Sequence, residues 1–216
     1  MASTAAPSET RWSRRKQARP AEILDAALKV FAHKGFAAAR MDDIAKEAGV
    51  TKGTIYLYFE NKEAVFKALV REAVGTTIEN VAVTAQHFEG SARDLLRFFL
   101  GAMVRLLAES DKVVLPKIII AESSNFPWLA EFYRFEVIER GLKLMIALIE
   151  RGVANREFRA MPPDHVARLC VAPLLFCAMW RVTFAHLDPK PYDYVGLIDT
   201  HLDILFRGLA VEGTSR

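Results

Sequence analysis

Apolar residues recur with a helical period along most of the chain. Ile23, Ala27, Val30 and Phe31 fall at i, i+4, i+7 and i+8, the stripe of an amphipathic helix. Pro20 suits the first turn of that helix and Gly35 its C-terminal cap. A short helix is predicted from about Met41 to Ala48, with Asp42 and Asp43 in its first turn, where the helix dipole favours carboxylates. Gly49 stops it, and Thr51 is a good N-cap for another short helix running to about Phe59. Asn61 caps a fourth, longer helix reaching about Gln86. Further helices are predicted over about 91–109, 112–123, 127–153, 163–187 and 191–211, separated by Gly90, Ser110-Asp111, residues 123–127 and two proline-rich loops. Nothing alternates with period two for long enough to make a sheet. The fold class is therefore all-α: residues 1–19 as a flexible basic arm, a small bundle over 20–66, and a larger helical domain over 67–216.

Two short helices joined by a turn containing Gly are what helix-turn-helix packing requires. Ala45 is small where the helices cross, and Gly49 lies where the chain turns sharply. Ile44, Ala48, Val50, Ile55 and Tyr58 supply the contacts that fix the crossing.

Charge gives this bundle a partner. From Arg11 to Lys62 there are 11 Lys/Arg against 6 Asp/Glu, a net of +5; after Lys62 there are 18 basic and 19 acidic residues. A positive end on a neutral body is the footprint of nucleic-acid binding. The second short helix would then enter the major groove of double-stranded operator DNA. Lys52 can reach a guanine edge or a phosphate, and Gly53 lets the backbone approach. Thr51, Thr54 and Tyr56 carry hydroxyls, and Leu57 can pack on a thymine methyl. Lys62, at the start of the fourth helix, can share a phosphate with backbone N–H groups.

These residues also carry a resemblance. Gly35-Phe36, then the run from Met41-Asp42-Asp43-Ile44-Ala45 through Gly49-Val50-Thr51-Lys52-Gly53-Thr54-Ile55-Tyr56-Leu57-Tyr58-Phe59, then Asn61-Lys62-Glu63-Ala64-Val65-Phe66 resembles the DNA-binding domain of the tetracycline-repressor (TetR/AcrR) family. The resemblance covers roughly residues 20–66. It implies a homodimer of helical subunits whose last two long helices form an intersubunit four-helix bundle, and a small-molecule effector that releases operator DNA. A hydroxyl residue is frequent near the start of that family's second helix; here Arg40-Met41 stands there, and Arg40 can contact phosphate itself.

In the C-terminal body the residues point to a largely apolar effector. Phe99, Met103, Phe132, Phe135, Phe176, Met179, Trp180 and Arg181 are candidate pocket residues, Arg181 as an anchor for an anion. Ile198, Leu202, Leu205 and Leu209 form a clean stripe suited to the dimer interface.

Other chemistry finds no support. There is no G-x-G-x-x-G, P-loop or G-x-S-x-G, so no catalytic residues and no cofactor are assigned. The five histidines form no metal-ligand spacing, so no metal is assigned. Cys170 and Cys177 read as buried thiols. No secretory signal or membrane span is read, which suggests a cytoplasmic protein with no membrane partner. The competing readings are an architectural DNA-binding protein without effector and a helical-bundle enzyme.

Overall fold

The computed structural model describes the backbone of residues 11–211 and side chains from Pro20 onward. Among the described residues there are eleven α-helices and no strand. They are α1 (Arg11–Ala38), α2 (Met41–Glu47), α3 (Lys52–Tyr56), α4 (Lys62–Val70), α5 (Thr76–His87), α6 (Ala92–Glu109), α7 (Val114–Glu122), α8 (Pro127–Tyr133), α9 (Arg140–Ala154), α10 (Pro163–Thr183) and α11 (Tyr194–Leu209). Two π-helical segments, Arg71–Gly75 and Arg134–Glu139, join α4 to α5 and α8 to α9. Short 3₁₀ turns, Asp111–Val113 and Ala185–Leu187, precede α7 and follow α10. The chain divides into two compact units between Leu69 and Val70, whereas the sequence placed that boundary after Phe66.

Helix α1 starts upstream of Pro20, where the sequence predicted an arm. Arg, Lys, Gln and Ala are good helix formers, and a proline removes only one backbone donor. Residues 1–10 of that arm lie outside the described residues.

The first unit is built around Phe31, Phe36 and Phe66, whose ring centroids are 5.5–5.7 Å apart. Phe36 reaches this cluster because Gly35 turns the chain with φ 75°, a conformation that glycine adopts without strain. Ile23, Ala27, Ile44, Ile55 and Val65 complete the core. Gly49 makes the second sharp turn at φ 65°, and the Val50 N–H donates to the Ala45 carbonyl at 2.9 Å. Helix α3 ends at Tyr56, shorter than expected. Leu57 to Phe59 form a turn in which Leu57, Tyr58 and Phe59 N–H groups bond back to Thr54 and Ile55 carbonyls.

In the second unit α6 is central, burying Leu95, Leu96, Phe99, Leu100 and Val104 against α9, α10 and α11. Phe158 stacks on Phe206 at 6.1 Å. Its ring occupies the space beside Gly152, where an added Cβ would come within 2.2 Å of it. Arg151 fastens the end of α5, donating to the Phe88 and Gly90 carbonyls at 2.8 and 2.9 Å. Helix α10 is long and apolar enough to cross a membrane by composition, but it packs on α6, α7, α9 and α11.

Candidate nucleic-acid interface and internal cavity

Helix α3 is held by its caps. The Thr54 N–H donates to Thr51 Oγ1 at 3.2 Å, and the two threonine hydroxyls lie 2.8 Å apart. Both hydroxyls therefore serve the helix start while keeping lone pairs for an outside partner. Asn61 caps α4, its Oδ1 accepting from the Ala64 N–H at 2.8 Å. Helix α2 is closed by Asp43, which accepts from the Arg40 N–H at 3.1 Å and pairs with Lys34 at 2.8 Å. The Lys34 ammonium holds the Asp43 carboxyl below its ordinary range.

Arg40, Thr51, Lys52, Gly53, Tyr56 and Leu57 all lie on the surface, with Thr54 half-buried. Leu57 is 81% exposed and Tyr56 46%, although both sit in the densest part of the motif. Gly53 has no internal reason to be glycine: its φ is not positive, and an added Cβ would find only Thr51 Oγ1, at 3.9 Å. Lys52 is paired with Asp42. Lys62 is placed differently from the expectation. Its ammonium donates to the Phe36 and Ala37 carbonyls at 2.6 and 3.1 Å and lies 4.4 Å over the Phe36 ring. It clamps the last residues of α1, just before the turn into α2.

The second unit contains a cavity of about 320 Å³. Its wall is built by Val74 and Ile78 from the first π segment and α5, Phe99, Met103, Leu106 and Leu107 from α6, and Lys112 and Pro116 beside α7. Tyr133, Val137, Ile138, Gly141 and Leu142 follow from α8 to α9, and Arg168, Val171, Ala172, Leu174, Leu175 and Ala178 from α10. Both π segments contribute, and they are tied to each other: Arg71 pairs with Glu136 at 2.8 Å, and Arg140 reaches Glu79 at 2.8 Å and Glu136 at 3.7 Å. Arg71 lowers the Glu136 pKa through that hydrogen bond. The exposed lining residues Ile138, Arg168, Ala172 and Leu175 mark the mouth, and Phe99, Leu174 and Ala178 mark the interior.

Of the pocket residues read from the sequence, only Phe99 and Met103 line this cavity. Phe132 lies beneath the Arg71 guanidinium, and Phe135 is exposed beside Arg134. Phe176 is exposed and stacks on Trp180, whose Nε1 donates to Asp188 at 2.8 Å. Met179 is half-buried away from the lining. Arg181 donates to the Leu107 and Ser110 carbonyls, capping the end of α6, so it is satisfied by backbone. Aromatic type at helical spacing did not reveal which face of α10 borders the space. The missed signal is small residues: Gly141, Ala172 and Ala178 leave the room.

The stripe expected at the dimer interface is covered within the chain. Ile198, Leu202 and Leu209 are buried within the single chain, and Leu205 is half-buried against the same core. They pack on α6, and no partner can cover what is already covered. The exposed apolar residues of α10, α11 and the segment between them include Leu169, Leu175, Phe176, Phe184, Leu187, Val195 and Ile204.

Residues 23–69 match the family described as bacterial regulatory proteins, tetR family. The fatty acid metabolism regulator protein of Bacillus subtilis (strain 168) is 28% identical over 197 residues, 90% of this chain and 98% of the relative. A crystal structure of the transcriptional regulator FadR from Bacillus subtilis in complex with stearoyl-CoA superposes with TM-score 0.74 at 26% identity, covering 88% of this chain and 98% of that one. The fatty acid degradation regulator FadR from Bacillus halodurans has the same fold, with TM-score 0.68 at 24% identity over 88% of this chain and 98% of that one. With a tetR-family helix-turn-helix domain at residues 23–69, a separate helical unit enclosing a cavity, and these relatives, the chain is a ligand-responsive transcriptional regulator of the TetR type.

Proposed function

We propose that this chain is a homodimeric repressor that leaves its operator when a long-chain acyl thioester enters the cavity of the second unit. The observation that carries this reading is the cavity wall. Nineteen residues line it, and only Lys112, Tyr133 and Arg168 carry polar side-chain groups. Such a wall suits a hydrocarbon chain, and its two cations suit an anionic head. Arg168, at the mouth, is exposed and held by Asp164 at 3.1 Å, where it can meet a head group that stays in water. The similarity to a fatty acid metabolism regulator supports the same class of effector.

Arg40, Thr51, Lys52, Gly53, Thr54, Tyr56 and Leu57 contact operator DNA in this reading, with Lys62 acting through the helix end it clamps. Dimerisation uses the exposed apolar face of α10 and α11. Occupation of the cavity presses on Val74 and Ile78, which follow closely on the DNA-binding unit in the chain. A ligand that favours the wrong spacing of the two recognition helices weakens DNA binding by linkage. The protein then works in the cytoplasm, where operator and acyl-CoA meet. An architectural protein without effector would have no use for the cavity.

The test is a titration of the dimer against DNA flanking its own gene, with random DNA as control, with and without stearoyl-CoA. Preference for the flanking DNA and its loss on adding stearoyl-CoA are expected. Equal affinity with and without stearoyl-CoA would sink the effector assignment.

A further inference from the structure

The polar groups of the cavity wall are two cations and one phenol, with no carboxylate and no amide among them. The phenol, Tyr133, closes α8. It is densely surrounded by protein yet keeps some accessible surface, and it lines the cavity. Among the described residues its hydroxyl has no hydrogen-bond partner. Two other buried polar atoms, Tyr194 Oη and His201 Nε2, also lack partners, but these are sealed inside protein. The Tyr133 oxygen is not among those sealed atoms, and its residue lines the cavity.

An unpartnered hydroxyl in apolar surroundings is costly, and it is tolerated where a ligand completes it. Burial pushes this phenol up to about 12, so it remains a protonated donor throughout the neutral range. A site built to hydrogen-bond an oxygen discriminates strongly against an analogue without one, because its own donor is then left unpaired.

We propose that Tyr133 is the selecting group of the cavity, donating its hydroxyl proton in a hydrogen bond to a carbonyl oxygen carried by an otherwise apolar ligand. The choice of first probe rests on the acyl-thioester reading above, in which that oxygen is the thioester carbonyl. Lys112 and Arg168 hold the charged part, and Tyr133 distinguishes an acyl chain from an alkyl chain of the same length.

The experiment uses two isosteric pairs on the full-length protein and on Tyr133→Phe, which removes one oxygen atom; its melting temperature without ligand checks that the fold is kept. The first pair is stearoyl-CoA and its thioether S-octadecyl-CoA, which lacks the carbonyl. The second is 2-undecanone and 2-methyl-1-undecene, which have no head group and are measured by displacement of an apolar fluorophore. The expected result is that each carbonyl probe binds the native protein about tenfold tighter than its isostere, and that Tyr133→Phe erases the difference. If neither CoA compound binds while the ketone is still preferred, the acyl-CoA reading fails and the role of Tyr133 stands. If stearoyl-CoA binds equally to native protein and Tyr133→Phe, and the ketone is not preferred either, the role of Tyr133 is overturned while the acyl-CoA reading stands. Binding of no probe overturns both.

Discussion

The Lys52 ammonium lies 2.9 Å from the Asp42 carboxylate, so the first residue of the recognition helix is held by an acid from the helix before it. That hydrogen bond raises the Lys52 pKa. The pair is exposed, and in the proposed DNA complex a phosphate competes with Asp42 for the same cation. Asp42→Asn is expected to tighten DNA binding several-fold, with the gain shrinking as salt rises. Lys52→Ala should weaken it. Fluorescence anisotropy at two salt concentrations measures both.

Gly53→Ala separates folding from binding. The added methyl group has space, and alanine is the better helix residue by about 1 kcal/mol, so thermal stability should rise slightly or stay level. DNA affinity should fall, because in the proposed complex the methyl group faces the duplex. Leu57→Ala should likewise leave stability within about 0.5 kcal/mol and lower specific binding. A loss of folding in either variant would assign the residue to the core.

Ala172→Trp should fill the mouth of the cavity. The expected variant binds flanking DNA normally and no longer releases it with stearoyl-CoA. Retained release would place the entry route elsewhere.

The two faces of the last helices can be told apart by mutation. Phe176→Glu, on the exposed face, should give a folded monomer in sedimentation experiments. Leu202→Ala, on the buried face, should cost about 2–5 kcal/mol of stability whatever the oligomeric state.

His201 gives a pH signature. Burial lowers its pKa from the ordinary 6.5, outweighing the contact with the Leu169 backbone. Below that ordinary value the unfolded chain takes up a proton that the folded chain resists, so stability falls as pH falls. Urea unfolding from about pH 7.5 down to about pH 5.5 should show this slope, and His201→Gln should flatten it.

Legibility in the sequence followed the range of the forces involved. Caps and turns depend on neighbours in the chain, so Thr51, Asn61, Gly35 and Gly49 could be placed from sequence, and with them the helix-turn-helix. Helix α1 went further than Pro20 implied, because a single proline is a weak stop among good helix formers. The cavity depends on which helical faces meet, and that is fixed by contacts far apart in the chain. Phe99 and Met103 were found, but Tyr133 was not, and Arg181 looked like a ligand anchor because its backbone partners Leu107 and Ser110 could not be foreseen. The stripe of α11 was correctly apolar, yet periodicity alone does not say whether α6 or a second subunit covers it.

The π-helical turn at Arg134–Glu139 has a consequence for how the chain tolerates changes in length. A π turn carries wider hydrogen-bonded rings than the α-helix around it, so it takes up surplus residues without breaking the rod. Losing a single residue there would let the rod from Pro127 to Ala154 continue in α form with its flanks in register and the residues inside the turn displaced. Val137 and Ile138 would rotate off the cavity wall while the helix survived. A protein trimmed in this way would be well folded, able to hold DNA, and deaf to its effector.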